Sequence, residues 1–297
     1  MRLWSRFLPL LLTLDYTPSP AGALQVPAGL AASALSDSSF TWIRRSVPGF
    51  RVYFLADSYP AAHQDSLMAL LPSAMAHARA RIDAPQLTAP VDLFFIETRT
   101  QMTALIGGRA TGFAQPSTRT VFLVTNPEWR AFERHEIMHV VAHQAWGPAA
   151  PGTDWLQEGL AQAADGRCAG HSNADVMLEL TARHGWIPLD SMLTRFRAQP
   201  DLRAYLQAAA FVDYLLRRYG PASLAELWRT GARPDSRIHG ISLAVHERRW
   251  RQQLRLGEPV SSTTLKAVES DGCGRSRAAF TGITQGWYAN TRVQRRE

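Results

Sequence analysis

The segment His135-Glu136-Ile137-Met138-His139 constrains this chain more than any other, because it lies inside an apolar run with helical spacing. Residues four apart on an α-helix lie on the same face, one turn above the other. The two histidines therefore present neighbouring imidazoles, with the glutamate next to the first. The apolar side chains around them favour a semi-buried setting, in which imidazoles need partners. A metal ion is one such partner, and histidines that face solvent or the core are the alternative.

A catalytic zinc ion has three protein ligands, and Glu158 is our candidate for the third. It follows the second histidine by nineteen positions, in a helix that a Pro- and Gly-rich turn at 147–153 allows to lie beside the first helix. Asp154 is an alternative, although it precedes that helix. His143 continues the histidine ladder, but the rise of the helix carries it too far along to share the same ion. We expect Glu158 to be the ligand and His143 to be a neighbouring or surface residue.

These residues carry a resemblance to a known family. HEIMH followed by WLQEGLAQ resembles the gluzincin metallopeptidases, in particular the peptidase MA-like domain of bacterial exported proteins. The resemblance covers roughly residues 48–255. It implies an α+β, zincin-like fold, with a small mixed sheet, an active-site helix and a mainly helical C-terminal half. It also implies that His135, His139 and Glu158 hold one Zn²⁺ ion.

The resemblance implies roles for four further parts of the site. Glu136 would act as general base and then general acid on a zinc-activated water. Tyr205, at the start of a helix like the one that follows the family's metal site, would donate to the oxyanion, with an ordinary half-buried tyrosine as the alternative. The strand Thr120–Val124 would be the edge strand that aligns an extended peptide. Gln162 stands where several members have a carboxylate, and its oxygen can still accept an imidazole N–H.

Hydrophobic patterning predicts a mixed first half and a helical second half. No internal repeat is evident in the sequence. The predicted strands cover 50–55, 91–96 and 120–124. The predicted helices cover 61–82, 100–106, 129–146, 155–164, 174–184, 204–219, 224–230 and 241–254.

The N-terminus has the features of a secretory signal. Arg2 and Arg6 precede an apolar stretch, Phe7–Leu14, and small residues at 21–23 offer a cleavage site. The apolar stretch is too short to span a bilayer, so we expect an exported, periplasmic or extracellular protein with no transmembrane segment. The expected segments are a signal peptide (1–23), a linker (24–47), a metallopeptidase domain (48–255, an α/β part to 146 and a helical part from 147) and a basic polar tail (256–297).

The two cysteines gain meaning from the predicted export. In an oxidising compartment Cys168 and Cys273 would form an intramolecular disulfide, with two unpaired thiols as the alternative. Such a bond would tether the C-terminal tail to the metal-bearing body. Two cysteines are also too few for a four-cysteine zinc ribbon, which excludes that class of site.

The basic composition is a weak argument for nucleic-acid binding. The formal charge is +7, but Lys266 is the only lysine, and such an arginine bias is typical of genome composition. The excess lies in residues 226–297, which hold 13 basic and 7 acidic residues. We therefore expect no nucleic-acid partner, and at most a peripheral contact of the tail with an anionic envelope surface.

The sequence thus predicts an exported zinc metallopeptidase, a hydrolase that cleaves peptide bonds of a peptide or protein substrate. The alternative is a catalytically inactive zincin-fold module that serves as a binding or scaffold unit of the cell envelope. The intact Glu136 argues against this alternative, since loss of the general base would be expected first.

Overall fold

The computed structural model describes residues 29–233, 235–255 and 257–274. The predicted signal peptide and the last residues of the tail therefore lie outside the described residues. Within them, helices and strands mix as predicted, so the α+β fold class with a small mixed sheet is confirmed. No helix in this part of the chain combines the length and the apolar character needed to cross a membrane.

The first half of the chain builds a five-stranded sheet. Its strands are β1 (Trp42–Val47), β2 (Phe50–Leu55), β3 (Val91–Ile96), β4 (Gly112–Gln115) and β5 (Thr120–Val124). Their spatial order is β1-β2-β3-β5-β4, in which β2, β3 and β5 run parallel and both outer strands are antiparallel to their neighbours. The helices of this half are α1 (Leu30–Ser36), α2 (Tyr59–Ala62), α3 (Gln64–Arg81), α4 (Arg99–Ile106) and α5 (Glu133–Trp146).

Alternation along the inner strands divides the core between the two faces of the sheet. On one face Tyr53, Phe94 and Phe122 stack across three strands, with ring centroids 4.5 and 4.7 Å apart, beneath α1 and α4. On the other face the intervening residues, such as Phe54 and Phe95, pack in the main core with α3 and α5. The three inner strands appear in the sequence as apolar runs because both of their faces are covered.

Two predictions about this half are wrong. Residues 24–47 were expected to be a linker, but their described part contains α1 and the outer strand β1. β5 was expected to be the edge strand, but it pairs with β3 on one side and β4 on the other. The edge beside α5 is β4, a short strand of half-buried residues that hydrophobic patterning does not reveal.

The second half is helical and packs against the first half mainly through α5. Its helices are α6 (Asp154–Asp165), α7 (Asn173–His184), α8 (Leu189–Thr194), α9 (Asp201–Thr230), α10 (Leu243–Gln253) and α11 (Ser262–Asp271). α9 joins two predicted helices across a kink at Gly220, where φ is 75° and a proline follows. α6 lies between α5 and α9 and packs closely on the latter, since a Cβ at Gly159 would lie 2.9 Å from the Ala208 carbonyl oxygen.

Two short hairpins reveal a repeat that the sequence analysis missed. The strands β6 (Arg167–Cys168) and β7 (His171–Ser172) lead into α7, and β8 (Arg237–Ile238) and β9 (Ile241–Ser242) lead into α10. In both hairpins the two turn residues have positive φ. The arginine that begins each hairpin donates to the carbonyl of the turn glycine, Arg167 to Gly170 at 2.7 Å and Arg237 to Gly240 at 2.8 Å. Both copies share the sequence pattern Arg-x-x-Gly-x-Ser-x-Ala.

A sulfur pair fastens the C-terminal part of the chain to the helical half. Cys168 and Cys273 lie at disulfide distance, with Sγ atoms 2.06 Å apart, which confirms the predicted pairing in its geometry. The following residue, Gly274, accepts a hydrogen bond from the backbone of Arg130, in the loop that leads into α5. The described part of the predicted polar tail thus contains a helix, α11, and a contact with the loop before the histidine-bearing helix.

Candidate metal centre

The helix that carries both histidines, α5, begins at Glu133, four residues later than predicted. The preceding residues form a turn instead, in which the Asn126 side chain accepts hydrogen bonds from the backbone of Glu128 and Trp129. The side chain thus stabilises a local alternative to the helix. The helix then ends at Trp146, as predicted.

Three side-chain atoms converge between α5 and α6. The Nε2 atoms of His135 and His139 lie 3.3 Å apart, and Oε2 of Glu158 lies 3.3 and 3.4 Å from them. They are close enough together to hold one metal ion, and no other such group of three His, Cys, Asp or Glu occurs among the described residues. The structure therefore brings together the three predicted ligands.

The position of Glu158 follows from how α6 is held. The close approach at Gly159 fixes α6 against α9, and the Glu158 side chain is only 11% exposed. At the far end of α6, the carboxylate of Asp165 pairs with Arg130, just before α5. The helix that bears the glutamate is thus fastened to the segment that begins the histidine helix.

Glu136 lies on the β4 side of the same site. It is buried, and a Cβ built on Gly112 would overlap its Oε1 atom and lie 3.0 Å from its Cδ and Cγ atoms. A side chain at this position of the edge strand would therefore displace the carboxylate from where it lies. The edge strand and the predicted general base are therefore in direct contact.

The two glutamates of the site have opposite pKa shifts. Burial raises the pKa of Glu136 to about 8. The attraction of His139 opposes this shift, and the repulsion of Glu158 adds to it. Burial would raise the pKa of Glu158 as well, but the attraction of His139 and hydrogen bonds from both imidazoles hold it well below its ordinary value. The surroundings of Glu158 therefore favour its anionic form, whereas those of Glu136 favour its protonated form more than water does.

Tyr205 also reaches the site, together with a residue that the sequence analysis missed. The Tyr205 ring stacks on the ring of His135, with centroids 6.3 Å apart, and burial raises the pKa of its hydroxyl. Arg197 donates to the Tyr205 hydroxyl at 3.0 Å, to Oε1 of Glu158 at 2.8 Å and to Asp154 at 3.0 Å. Nothing in the local sequence marks this arginine, because it lies in an exposed turn thirty-nine residues after Glu158.

Three other residues considered from the sequence do not join the group. Asp154 accepts from Arg197 instead, so the geometry favours Glu158 as the ligand. His143 lies outside the cluster, on the next turn of α5. The amide nitrogen of Gln162 donates to Asn173 at 3.1 Å, and the described contacts include none between its oxygen and an imidazole. The buried Nδ1 of His135 has no partner among the described residues.

No protein-family model matches this chain, and a comparison with curated proteins finds no match.

Proposed function

We propose that the protein is an exported zinc metallopeptidase of the gluzincin type, with His135, His139 and Glu158 as ligands. The observation that carries the proposal is the triangle of ligand atoms with the Glu136 carboxylate beside it. The mixed donor set, two imidazoles and one carboxylate, is that of catalytic rather than structural zinc sites.

The spacing of the three atoms supports zinc. A tetrahedral ion with bonds of about 2.0–2.1 Å needs ligand atoms about 3.3–3.4 Å apart. The three separations here are 3.3, 3.3 and 3.4 Å. Three protein ligands leave one position open, and when bound there zinc polarises a carbonyl oxygen and lowers the pKa of a water toward ~7.

Two residues beside the ligands would then transfer the proton and stabilise the developing charge. Glu136 would accept a proton from the attacking water and pass it to the leaving amine, the role of a positioned general acid–base residue. Tyr205 would donate its hydroxyl hydrogen to the carbonyl oxygen as negative charge develops there. Both side chains are held in place, Glu136 against β4 and Tyr205 by Arg197 and the His135 ring.

The edge strand supports a peptide substrate. β4 pairs only with β5 among the described strands, so its other edge is available for backbone hydrogen bonds to an extended chain. Addition of a strand at such an edge is a common mode of peptide binding. A peptide aligned on β4 would pass the Glu136 carboxylate, since that carboxylate contacts Gly112.

Export is the part of the proposal that depends on the N-terminus. Its support is the signal-like pattern of residues 1–23 and the sulfur pair at disulfide distance, a bond typical of oxidising compartments. Cell fractionation with N-terminal sequencing of the processed protein tests it. A full-length cytoplasmic protein with reduced cysteines would contradict it.

The test of the enzyme is metal analysis combined with proteolysis. Purified protein is expected to hold one zinc per chain and to cleave casein or a peptide library. Glu136→Gln should keep the zinc and lose about 10²- to 10⁴-fold in kcat/KM, the usual contribution of a general acid–base residue. Glu128→Gln, the same change at an exposed position on the loop before α5, serves as the control.

The inactive binding module makes the opposite prediction. Zinc that is bound without any cleavage, in the wild type as in Glu136→Gln, would leave only a scaffold function for the fold.

A further inference from the structure

Arg197 occupies a central place in the candidate site without being a metal ligand. It lies in the short 3₁₀ turn Phe196–Ala198, between α8 and α9. Its Nε donates to Asp154 Oδ1 at 3.0 Å, its Nη1 to the Tyr205 hydroxyl at 3.0 Å and its Nη2 to Glu158 Oε1 at 2.8 Å. One guanidinium thus joins the start of α6, the third ligand and the first turns of α9.

The two carboxylate oxygens of Glu158 have different partners. Oε2 lies 3.3 and 3.4 Å from the two imidazole nitrogens, within the ligand group. Oε1 is the atom that accepts from Arg197. Partners that hold the outer atom of a ligand fix its orientation and tune the affinity for the metal. Arg197 would therefore occupy Oε1 and leave Oε2 as the one oxygen of Glu158 that binds the metal.

The contact with Tyr205 fixes the direction of a hydroxyl hydrogen. A guanidinium has donors and no acceptor, so the Tyr205 oxygen must accept this bond. Its own hydrogen is then left to point at another acceptor. Since the ring stacks on His135, that acceptor would lie close to the ligand group.

The geometry points to Arg197 as a positioning residue with two tasks: it holds Glu158 as a one-oxygen ligand, and it keeps the Tyr205 hydroxyl available as a donor. This inference rests on the proposed metallopeptidase function. The side chain is 59% exposed, and an exposed ion pair by itself contributes little. What distinguishes Arg197 from an ordinary surface arginine is that three partners fix its planar fork, two of them in the candidate site.

The first experiment measures zinc affinity, without any substrate. Metal-free protein competes with a chromogenic chelator for zinc, and Arg197→Ala is expected to bind about 10- to 100-fold more weakly than wild type. Arg195→Ala is the matched control, since that exposed arginine lies two residues earlier and its guanidinium contacts Ser191 at 3.2 Å. Equal affinities in wild type, control and Arg197→Ala would overturn the first task.

The second experiment separates turnover from binding. Arg197→Ala and Tyr205→Phe, each saturated with zinc, are both expected to lower kcat more than they raise KM. If Arg197 acts through the tyrosine, the double variant loses little more than the worse single variant. Fully additive losses would overturn the second task.

Two checks keep the outcome clear. Arg197→Lys preserves a charge without the fork, so it should fold like wild type and still show the reduced kcat. A wild-type protein that binds no zinc contradicts the proposed function as a whole. A wild-type protein that binds zinc, with an unchanged affinity and kcat in both Arg197 variants, contradicts this inference alone.

Discussion

Two glutamates lie at the candidate metal centre, Glu136 on α5 and Glu158 on α6, in opposite electrostatic surroundings. Glu136 is buried against the edge strand, where Gly112 is its close neighbour, and burial raises its pKa to about 8. Glu158 is equally buried, but it faces two imidazoles on one side and Arg197 on the other. Its pKa is held well below the ordinary value, because the attraction of His139 and the imidazole hydrogen bonds outweigh burial.

The difference supports the separate roles that we propose for the two carboxylates. A carboxylate that stays ionised suits a permanent ligand, and one whose pKa lies near neutrality suits proton transfer. The surroundings that shift the two pKa values also differ. Apolar helix and strand surroundings create the first environment, and a set of cationic or hydrogen-bonding partners creates the second.

The largest expected effect comes from removing the charge of the ligand. Glu158→Gln should lower zinc affinity by at least about 100-fold, more than the loss of an outer partner costs, and should leave Asp154 as the carboxylate partner of Arg197. Zinc content after dialysis against a chelator measures this, with Glu136→Gln as the comparison that keeps its metal. Equal zinc retention in the two variants would remove the distinction between the glutamates and return Asp154 as a candidate ligand.

An intermediate effect is expected from crowding Glu136 without changing it. A methyl group at Gly112 must displace the Glu136 carboxylate, so Gly112→Ala should lower kcat about 10²-fold at unchanged zinc affinity. Steady-state kinetics and the chelator competition measure the two quantities. Gly108→Ala is the control, because the nearest atom to its new Cβ would be 3.9 Å away. Wild-type kcat in Gly112→Ala would show that the strand does not position the base.

The smallest expected effect concerns Glu133, at the start of α5. Burial raises its pKa from 4.5 to about 7, with nearby Arg130 opposing the shift. A raised carboxyl pKa contributes stability that is complete below pH 4.5 and is lost as the pH rises through 7. Glu133→Gln stays neutral at every pH, so it should match wild type below pH 4.5 and exceed its unfolding free energy by at most about 3 kcal/mol at pH 8.

Urea unfolding of the metal-free protein at pH 4.5 and pH 8 measures this difference. Glu128→Gln, the same change at an exposed position, serves as the control. If Glu133→Gln is less stable than wild type at pH 8, the protein stabilises the charged form of Glu133. Glu133 would then resemble Glu158 rather than Glu136.

The sheet shows which elements the sequence reveals. The inner strands β2, β3 and β5 have the predicted bounds, because residues covered on both faces form apolar runs. The outer strands β1 and β4 escaped prediction, since their half-buried or exposed side chains give no clear period in so few residues. Their strand conformation depends on pairing with a neighbour that lies elsewhere in the chain.

The candidate site divides in the same way. Helical spacing alone places His135 and His139 on one face, and the motif marks Glu136, because these relations are fixed within a single helix. The sequence also indicated Glu158, through its place in a second helix and the resemblance of the surrounding segment. It could not give the distance of that glutamate from the imidazoles, 3.3 and 3.4 Å, which depends on the packing of α6 between two other helices.

What the sequence determined by itself was local: a helix with two histidines and a glutamate, three buried strands, and a second helix with a candidate carboxylate. Only the tertiary structure decided that β4 lies against Glu136 and that Arg197 joins Glu158 to Tyr205. Helical periodicity is a property of neighbours along the chain and can be recognised from them. Contacts across 24 or 39 residues arise from the burial of whole elements, and no local pattern encodes them.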